Sequence, residues 1–393
     1  MSVILFDDRS WDNLLPLTYT RPVAQLRVGI LTVAEKWERV YGQPASWITR
    51  PHLREKFPVA PGTGDLLVNG SLLPEPDVCN AIGALRPGEA LKQGETLLAV
   101  RQAEVDPADF RAEDFLPRAA DYPGVVDRIA HPWHIFLLNG QEIARDFERI
   151  AHGRTSAPLP AGVTCDNPDR VFVEPGFRGN HFLISTSAGP VYLGRDSEIM
   201  EGSLIRGPFA LCEGAAVKMG AKIYGPTTLG PYSKAGGEIT NSIFLANSNK
   251  AHDGYLGNSV LGEWCNLGAD TNTSNLKNNY AEVKLWNYPA GRFLPTGQQF
   301  CGLIMGDHSK AGINTMFNTG TVVGVSANIF GPGFPRNFIP SFSWGGAGGM
   351  SVYRLDKALE TARIVLRRRD LELDRADERI LEHVFRVSEA YRT

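Results

Sequence analysis

From Gly189 onward an aliphatic residue falls at every sixth position: Leu193, Ile199, Ile205, Leu211, Val217, Ile223, Leu229 and Ala235. The count restarts at Ile239, Leu245 and Ala251, and again at Tyr255, Leu261 and Leu267. After a break it resumes at Met305, Ala311, Phe317, Val323 and Ile329. Packed helices need spacings of three and four and ordinary strands need two, so neither template fits. A period of six predicts a parallel β-helix, in which each hexad makes one short flat side and a turn, with its aliphatic residue pointing inward. Three hexads then close a triangular coil. A single coil cannot bury its own aliphatic column, so coils must stack.

The segment before this repeat has a different texture. "SVILFDD" and "DLLVNGSLL" read as buried strands, while "GILTVAEKWERVYG" and "PWHIFLLNGQEIARDFERIAHG" have helical periodicity. Strands alternating with helices predict an α/β domain over residues 1–157 with a largely parallel sheet. The proline-rich stretch "TSAPLPAGVTCDNPDR" opens a linker and lead-in over 158–188, and the β-helix follows over 189–345. Residues 277–299 break the period and predict a loop projecting from the solenoid, towards a binding face or a neighbouring subunit. The tract "GPGFPRNFIPSFSWGGAGG" reads as an exit strap. Over 346–393 two amphipathic helices are expected, one presenting Leu355, Leu359, Ala362 and Leu366, the other Ile380, Val384 and Val387 after the cap Asp374. They should pack on the solenoid end or on a neighbour.

With 40 basic and 43 acidic residues mixed along 393 positions, the formal charge is only -3, which argues against nucleic acid or an anionic membrane as partner. Five scattered cysteines lack the spacing of a zinc site or a disulfide scaffold and fit reduced thiols in a cytoplasm. The amino terminus turns acidic after four apolar residues, unlike a signal peptide or an anchor.

One tract concentrates chemistry. "KAHDGYLGNSVLGEWCNLGADTNTSNL", Lys250 to Leu276, sets His252 among asparagines and small residues inside the repeat. This tract resembles the acetyltransferase signature of the bifunctional N-acetylglucosamine-1-phosphate uridyltransferase/glucosamine-1-phosphate acetyltransferase family, which joins a nucleotidyltransferase domain to a left-handed β-helix. The resemblance implies His252 as general base, Tyr255 and Asn266 as sugar-phosphate contacts, Asn275 as a contact to the amino and acetyl groups, and Ala269 as a coenzyme A contact. It further implies acetyl-CoA as cosubstrate, an amino-sugar phosphate as acceptor, and a homotrimer with sites at subunit boundaries. A neutral amine must attack the thioester, so a base with pKa near 7 is needed, and imidazole suits. No metal takes part in that step. The family's phosphate-binding arginine and lysine stand at different spacing, which leaves Lys222, Lys234 and Lys250 as candidates. Asp307 stands where the family has a serine near the coenzyme. His308 is either a second active group or a turn histidine bonded to backbone.

The front domain departs further from the resemblance. "LLPLTYTRPVAQLRVGILTVAEKW" is similar to the segment following the phosphate loop of sugar nucleotidyltransferases, with Arg21-Pro22 in place of proline-lysine. Where the glycine-rich loop should be, "DDRSWDN" would repel a triphosphate. Ser71 stands where the family carries its magnesium-binding aspartate. Asp7, Asp8, Arg9 and Arg21 are the candidate nucleotide contacts, and Mg2+ is expected only if this domain turns over UTP or another nucleotide. A noncatalytic sugar-nucleotide sensor or scaffold on the same fold is the alternative reading.

Overall fold

The computed structural model describes residues 3–60, 66–102, 106 and 108–392. Ser2 and Asp65, the first residues of the two expected front-domain strands, lie outside them.

A left-handed parallel β-helix fills the centre of the chain. Its three faces carry six, nine and ten strands in the longest sheets. The first face runs from Thr164–Cys165 to Tyr255–Gly257, the second from Val171–Val173 to Phe338–Ile339, and the third from Arg178–Gly179 to Ser343–Gly346 and its hairpin partner Gly349–Val352. The solenoid thus begins inside the segment expected to be a linker. It ends inside the expected strap, whose strands extend the second and third faces. Equivalent residues lie 20 or 21 apart at the start and 16 apart at the end, so the inward positions miss every sixth place, which hid them from the count.

The periodic residues from Leu193 to Ala235 and from Met305 to Ile329 all point into the prism and are buried. Between these runs the count slips by one. Leu229 pairs with Phe244, Ala235 with Lys250, and Ile239 with Leu256. The inward column is therefore Ile239, Phe244, Lys250, Leu256, and Leu245 instead faces outward into a separate core beneath the second face.

The front domain is α/β, but its six-stranded sheet is mixed, not largely parallel. Ser46–Ile48, Val3–Phe6 and Leu66–Asn69 run parallel, whereas Thr96–Arg101 joins antiparallel to both Leu66–Asn69 and Ala90–Gln93. The helix Val33–Tyr41 starts at a capping box: Thr32 Oγ1 accepts from Glu35 N at 3.1 Å, Glu35 accepts from Thr32 N at 2.6 Å, and Gly42 closes it with φ 66°. The long helix Pro132–Ala151 lies against the solenoid. It buries Asn139, Glu142 and Asp146 because each has work there. Glu142 and Asp146 hold the buried Lys36 ammonium, Asp146 takes the amides of Ile30 and Leu31, and Asn139 takes that of Gly29. Thr228 of the second face donates to Asn139 at 3.0 Å, which fastens the joint.

One continuous apolar core runs through the front domain, the second face, the insert and the carboxy-terminal helices. The insert does not project as expected. Its hairpin, Lys284–Asn287 with Arg292–Pro295, buries Val283, Leu285 and Tyr288, and Tyr288 meets Tyr19 edge-on at 5.5 Å. The helices Leu355–Arg367 and Arg375–Val387 form as the sequence predicts, the second capped by Asp374. They bridge the solenoid and the front domain, where His383 stacks on His52 at 4.0 Å.

Candidate active site

With the second face covered, the corner between third and first faces stays open, and His252 lies on it, exposed. Among the described residues its side chain has no hydrogen-bond partner. The coil beneath is cut short here: four positions separate Ala235 from Ile239, whereas six separate Lys250 from Leu256. The shortened turn is Gly236-Gly237, and Gly237 has φ 74°, which glycine adopts without strain. The coil above closes directly over this turn: a Cβ at Gly236 would stand 2.5 Å from Ala251 O, and one at Gly237 3.0 Å from His252 O. Lys218 flanks the same turn from below, its Cβ 3.2 Å from the Gly236 Cβ position. The break from six to four at a double glycine is visible in the sequence, yet Lys218 was not singled out from it.

Tyr255 and Asn275 are brought together on the first face, over Gly257. The Asn275 amide donates to the Tyr255 hydroxyl at 3.0 Å and to Asn258 Oδ1 at 2.8 Å. Asn272 in the next coil accepts from Tyr255 N at 2.8 Å, which locks the strand register. Burial pushes the Tyr255 phenol above its usual pKa, so it stays a neutral donor. Three residues on from the Asn249–Asn266 pair, Ala269 falls one coil beyond His252. Asn266 is exposed on the third face, in register with Asn249 and Lys310. Lys222 is exposed on the first face two coils before Tyr255, about 10 Å away at the usual strand spacing. Lys234 is exposed on the third face in register with Asn249.

Lys250 does not fit its expected role. Its side chain enters the prism, and Nζ donates to the carbonyls of His252 at 2.6 Å, Asp253 at 3.0 Å and Gly236 at 3.1 Å. All three donors are used, so none is left for a phosphate. Burial lowers its pKa to about 8, against the opposing pull of Asp253 and Asp270.

Asp307 and Arg21 also change meaning. They were expected at a coenzyme and at a nucleotide; instead they form an ion pair with each other across the domain joint, both almost fully buried. Arg21 also binds Glu263 at 2.9 Å, and Asp307 accepts from Thr20 at 2.7 Å and from Glu263 N at 2.8 Å. Two side chains held by one another and by Glu263 and Thr20, this deep in the joint, are not presented to a ligand. His308 lies beneath the carboxy-terminal helices, where burial drops its pKa to about 3 and keeps it neutral. Its Nδ1 has no partner, and Lys310 donates to its carbonyl at 3.2 Å.

In the front domain a cleft of about 510 Å³ opens at the ends of Val3–Phe6 and Ser46–Ile48, lined by Asp7, Asp8, Arg9, Arg50 and Arg111 among others. Arg9 is exposed at its rim. Asp7 is a clasp, accepting from Val23 N at 2.9 Å and Thr49 Oγ1 at 2.5 Å, and burial raises its carboxyl to a pKa of about 7. Asp8 accepts from Ser10 N at 2.8 Å and Asn69 Nδ2 at 2.9 Å, while Asn69 Oδ1 accepts from Ser71 N at 2.9 Å and Ser71 Oγ at 2.7 Å. Magnesium needs near-octahedral oxygen ligands, commonly one or two carboxylates. Here Asp8 is taken by Ser10 and the Asn69 amide, Asp7 by its clasp, and the residue in the metal's usual place is a serine that donates its hydroxyl to Asn69. The residues present do not fit the ion.

Fold and site together define a protein with a sugar-nucleotidyltransferase-like domain docked along a hexapeptide β-helix. Residues 3–155 match the sugar nucleotidyl transferase family. The chain is similar to the bifunctional sugar-1-phosphate nucleotidylyltransferase/acetyltransferase of Sulfurisphaera tokodaii, with 31% identity over 144 residues, 36% of this chain and 35% of that one. It is also similar to the bifunctional protein GlmU of Methanocaldococcus jannaschii, with 38% identity over 87 residues, 22% and 21% of the two chains. The chain therefore spans about a third of the first relative and a fifth of the second. Among solved structures, the UDP-N-acetylglucosamine acyltransferase LpxA of Bacteroides fragilis shares 16% identity over 56% of this chain and 82% of its own, at a TM-score of 0.22.

Proposed function

We propose that the protein is an N-acetyltransferase, moving an acetyl group from acetyl-CoA to the amine of an amino-sugar phosphate of the glucosamine-1-phosphate kind. The observation that carries this reading is an exposed, unpartnered imidazole on the open corner, three residues before Tyr255, whose phenol on the first face accepts from the Asn275 amide that also binds Asn258. In this scheme the acceptor nitrogen attacks the thioester carbonyl as His252 takes its proton. The tetrahedral oxyanion collapses, the carbon–sulfur bond breaks, and the coenzyme thiolate leaves and takes up a proton. A positioned donor to that oxyanion is worth about 3 kcal/mol. The Asn275 amide is assigned this role, by giving up one of its bonds to Tyr255 and Asn258 when the acceptor binds, and Ala269 the approach of the coenzyme arm. Tyr255 and Asn266 orient the sugar, and Lys222, Lys234 and Lys218 supply the cations within reach of its phosphate.

In the front domain, the cleft is proposed to bind the sugar nucleotide without nucleotidyl transfer. The Asp8–Asn69–Ser71 network in the metal's usual place favours this over UTP turnover. A homotrimer built on the first face and the part of the third left free by the carboxy-terminal helices is the proposed assembly, and a cytoplasmic setting agrees with five free thiols. Among the described residues no helix is long and apolar enough to cross a membrane.

The test is release of coenzyme A across a panel of amino sugars, their 1-phosphates and nucleotide sugars. His252→Ala should lower turnover at least about 100-fold while the fold stays intact. Undiminished turnover in that variant rejects the assignment. Binding without turnover by the wild type throughout the panel favours the sensor reading.

A further inference from the structure

Every other coil near the open corner fills the place of Lys250 with an aliphatic side chain: Val217 and Ala235 before it, Leu267, Ala311 and Ile329 after it. A charged group in that column is costly unless its hydrogen bonds are met. Turn carbonyls at the same corner also need donors. In the two following coils a threonine three residues on supplies one: Thr271 Oγ1 to Gly268 O at 2.8 Å, and Thr315 Oγ1 to Gly312 O at 2.9 Å. In the His252 coil the matching residue is Gly254, which has no side chain and a φ of 108°. The lysine instead supplies donors from inside to other turn carbonyls: those of His252 and Asp253, and that of Gly236, the match of Gly268 in the coil below.

Its reach goes further than a hydroxyl's. The ammonium binds the carbonyls on both sides of Asp253 and ties them to Gly236 in the shortened turn below. With these carbonyls drawn inward, the peptide planes after His252 are fixed, and so is the direction in which its Cα–Cβ bond leaves the prism. We infer that Lys250 is a positioning residue: an interior ammonium that holds the His252 turn in the orientation needed to reach the acceptor amine. The inference rests on His252 being the base. A lysine outside the prism makes comparable bonds where no reaction occurs: Lys310, next to the inward Ala311, donates to the carbonyls of Trp264 and His308 at 3.1 and 3.2 Å under the carboxy-terminal helices. Lys310 therefore serves as a built-in control.

The experiment compares Lys250→Met with Lys310→Met. Each is read by acetyl-transfer kinetics and by the carbon-bound imidazole proton signals of His252 and His308, assigned through His252→Gln and His308→Gln. Displacement of a reacting group by about 1 Å costs on the order of 100-fold, so Lys250→Met should lower kcat by about 30-fold or more, with KM for acetyl-CoA little changed. The His252 signal should shift or broaden and that of His308 should not. Lys310→Met should move the His308 signal and leave kcat unchanged. A folded Lys250→Met with wild-type kcat and an unmoved His252 signal overturns the inference. If Lys250→Met does not fold, Lys250→Gln, a shorter neutral donor, is judged by the same two readouts. If the wild type transfers no acetyl group, the functional reading fails by itself, and the His252 signal still decides whether Lys250 fixes that turn.

Discussion

The pairing of Arg21 with Asp307 makes a sharp energetic prediction, because the same two residues would behave differently as separate ligand contacts. Arg21 is 5% and Asp307 3% exposed. Asp307→Ala leaves a buried guanidinium with Glu263 as its remaining acid, and Arg21 Nε already lacks a partner. Removing one member of a buried pair costs about 3–5 kcal/mol. Arg21→Met should cost less, about 1–3 kcal/mol, since Asp307 keeps Thr20 and the Glu263 amide. In the double variant neither charge is stranded, so its loss should fall short of the sum by about 2 kcal/mol. The assay is urea unfolding followed by tryptophan fluorescence and by far-ultraviolet circular dichroism. The shared core of front domain, second face and carboxy-terminal helices should make the two probes coincide. Additivity within about 0.5 kcal/mol would refute the latch. So would wild-type stability of both single variants combined with raised KM for acetyl-CoA or weaker nucleotide binding.

Two further outcomes concern pH. Asp7 has its folded pKa raised from 3.8 to about 7, so the folded state holds its proton longer and stability is lost as pH rises through that window, by about 4 kcal/mol above pH 7. Asp7→Asn keeps an oxygen for Val23 N, and its stability relative to wild type should rise by about 3 kcal/mol between pH 5 and pH 8. An equal offset at both pH values would show that the carboxyl is already ionised in the clasp. His52, which donates to Tyr19 O and stacks on His383, has its pKa lowered to about 4 by burial and then by the charges of His383 and Arg50. The unfolded chain takes up the proton first, so stability falls as pH drops from 6.5 towards 4. His52→Gln should flatten that limb of a melting-temperature profile, and an unchanged slope would assign the acid sensitivity elsewhere.

What the sequence revealed and what it hid both follow from the repeat. Each inward aliphatic from Leu193 to Ala235 is forced by stacking, so a count of six finds it without knowledge of neighbours. The mixed sheet of the front domain and the course of the insert depend on contacts between distant segments, such as Tyr288 on Tyr19, and no local period announces those. Likewise Arg21 and Asp307 are separated by most of the chain. Each alone looks like a ligand contact, and only their meeting shows otherwise.

The slip at the active corner has a more specific cause. Once the turn at Gly236-Gly237 drops two residues and the next turn, through Asn241, drops one, the column moves from the expected Leu245 and Ala251 to Phe244 and Lys250. A count that assumes hydrophobic interiors places Lys250 outside, because a lysine inside violates the pattern. Yet that violation is where the geometry of the proposed site is set. The short turn brings Gly236 under the His252 coil, Gly254 gives up the staple used by later coils, and the ammonium ties the carbonyls of His252, Asp253 and Gly236 together from within. A strict hexad repeat would have given an aliphatic residue inside and a threonine at the turn, with no interior donor to hold the peptide planes after His252.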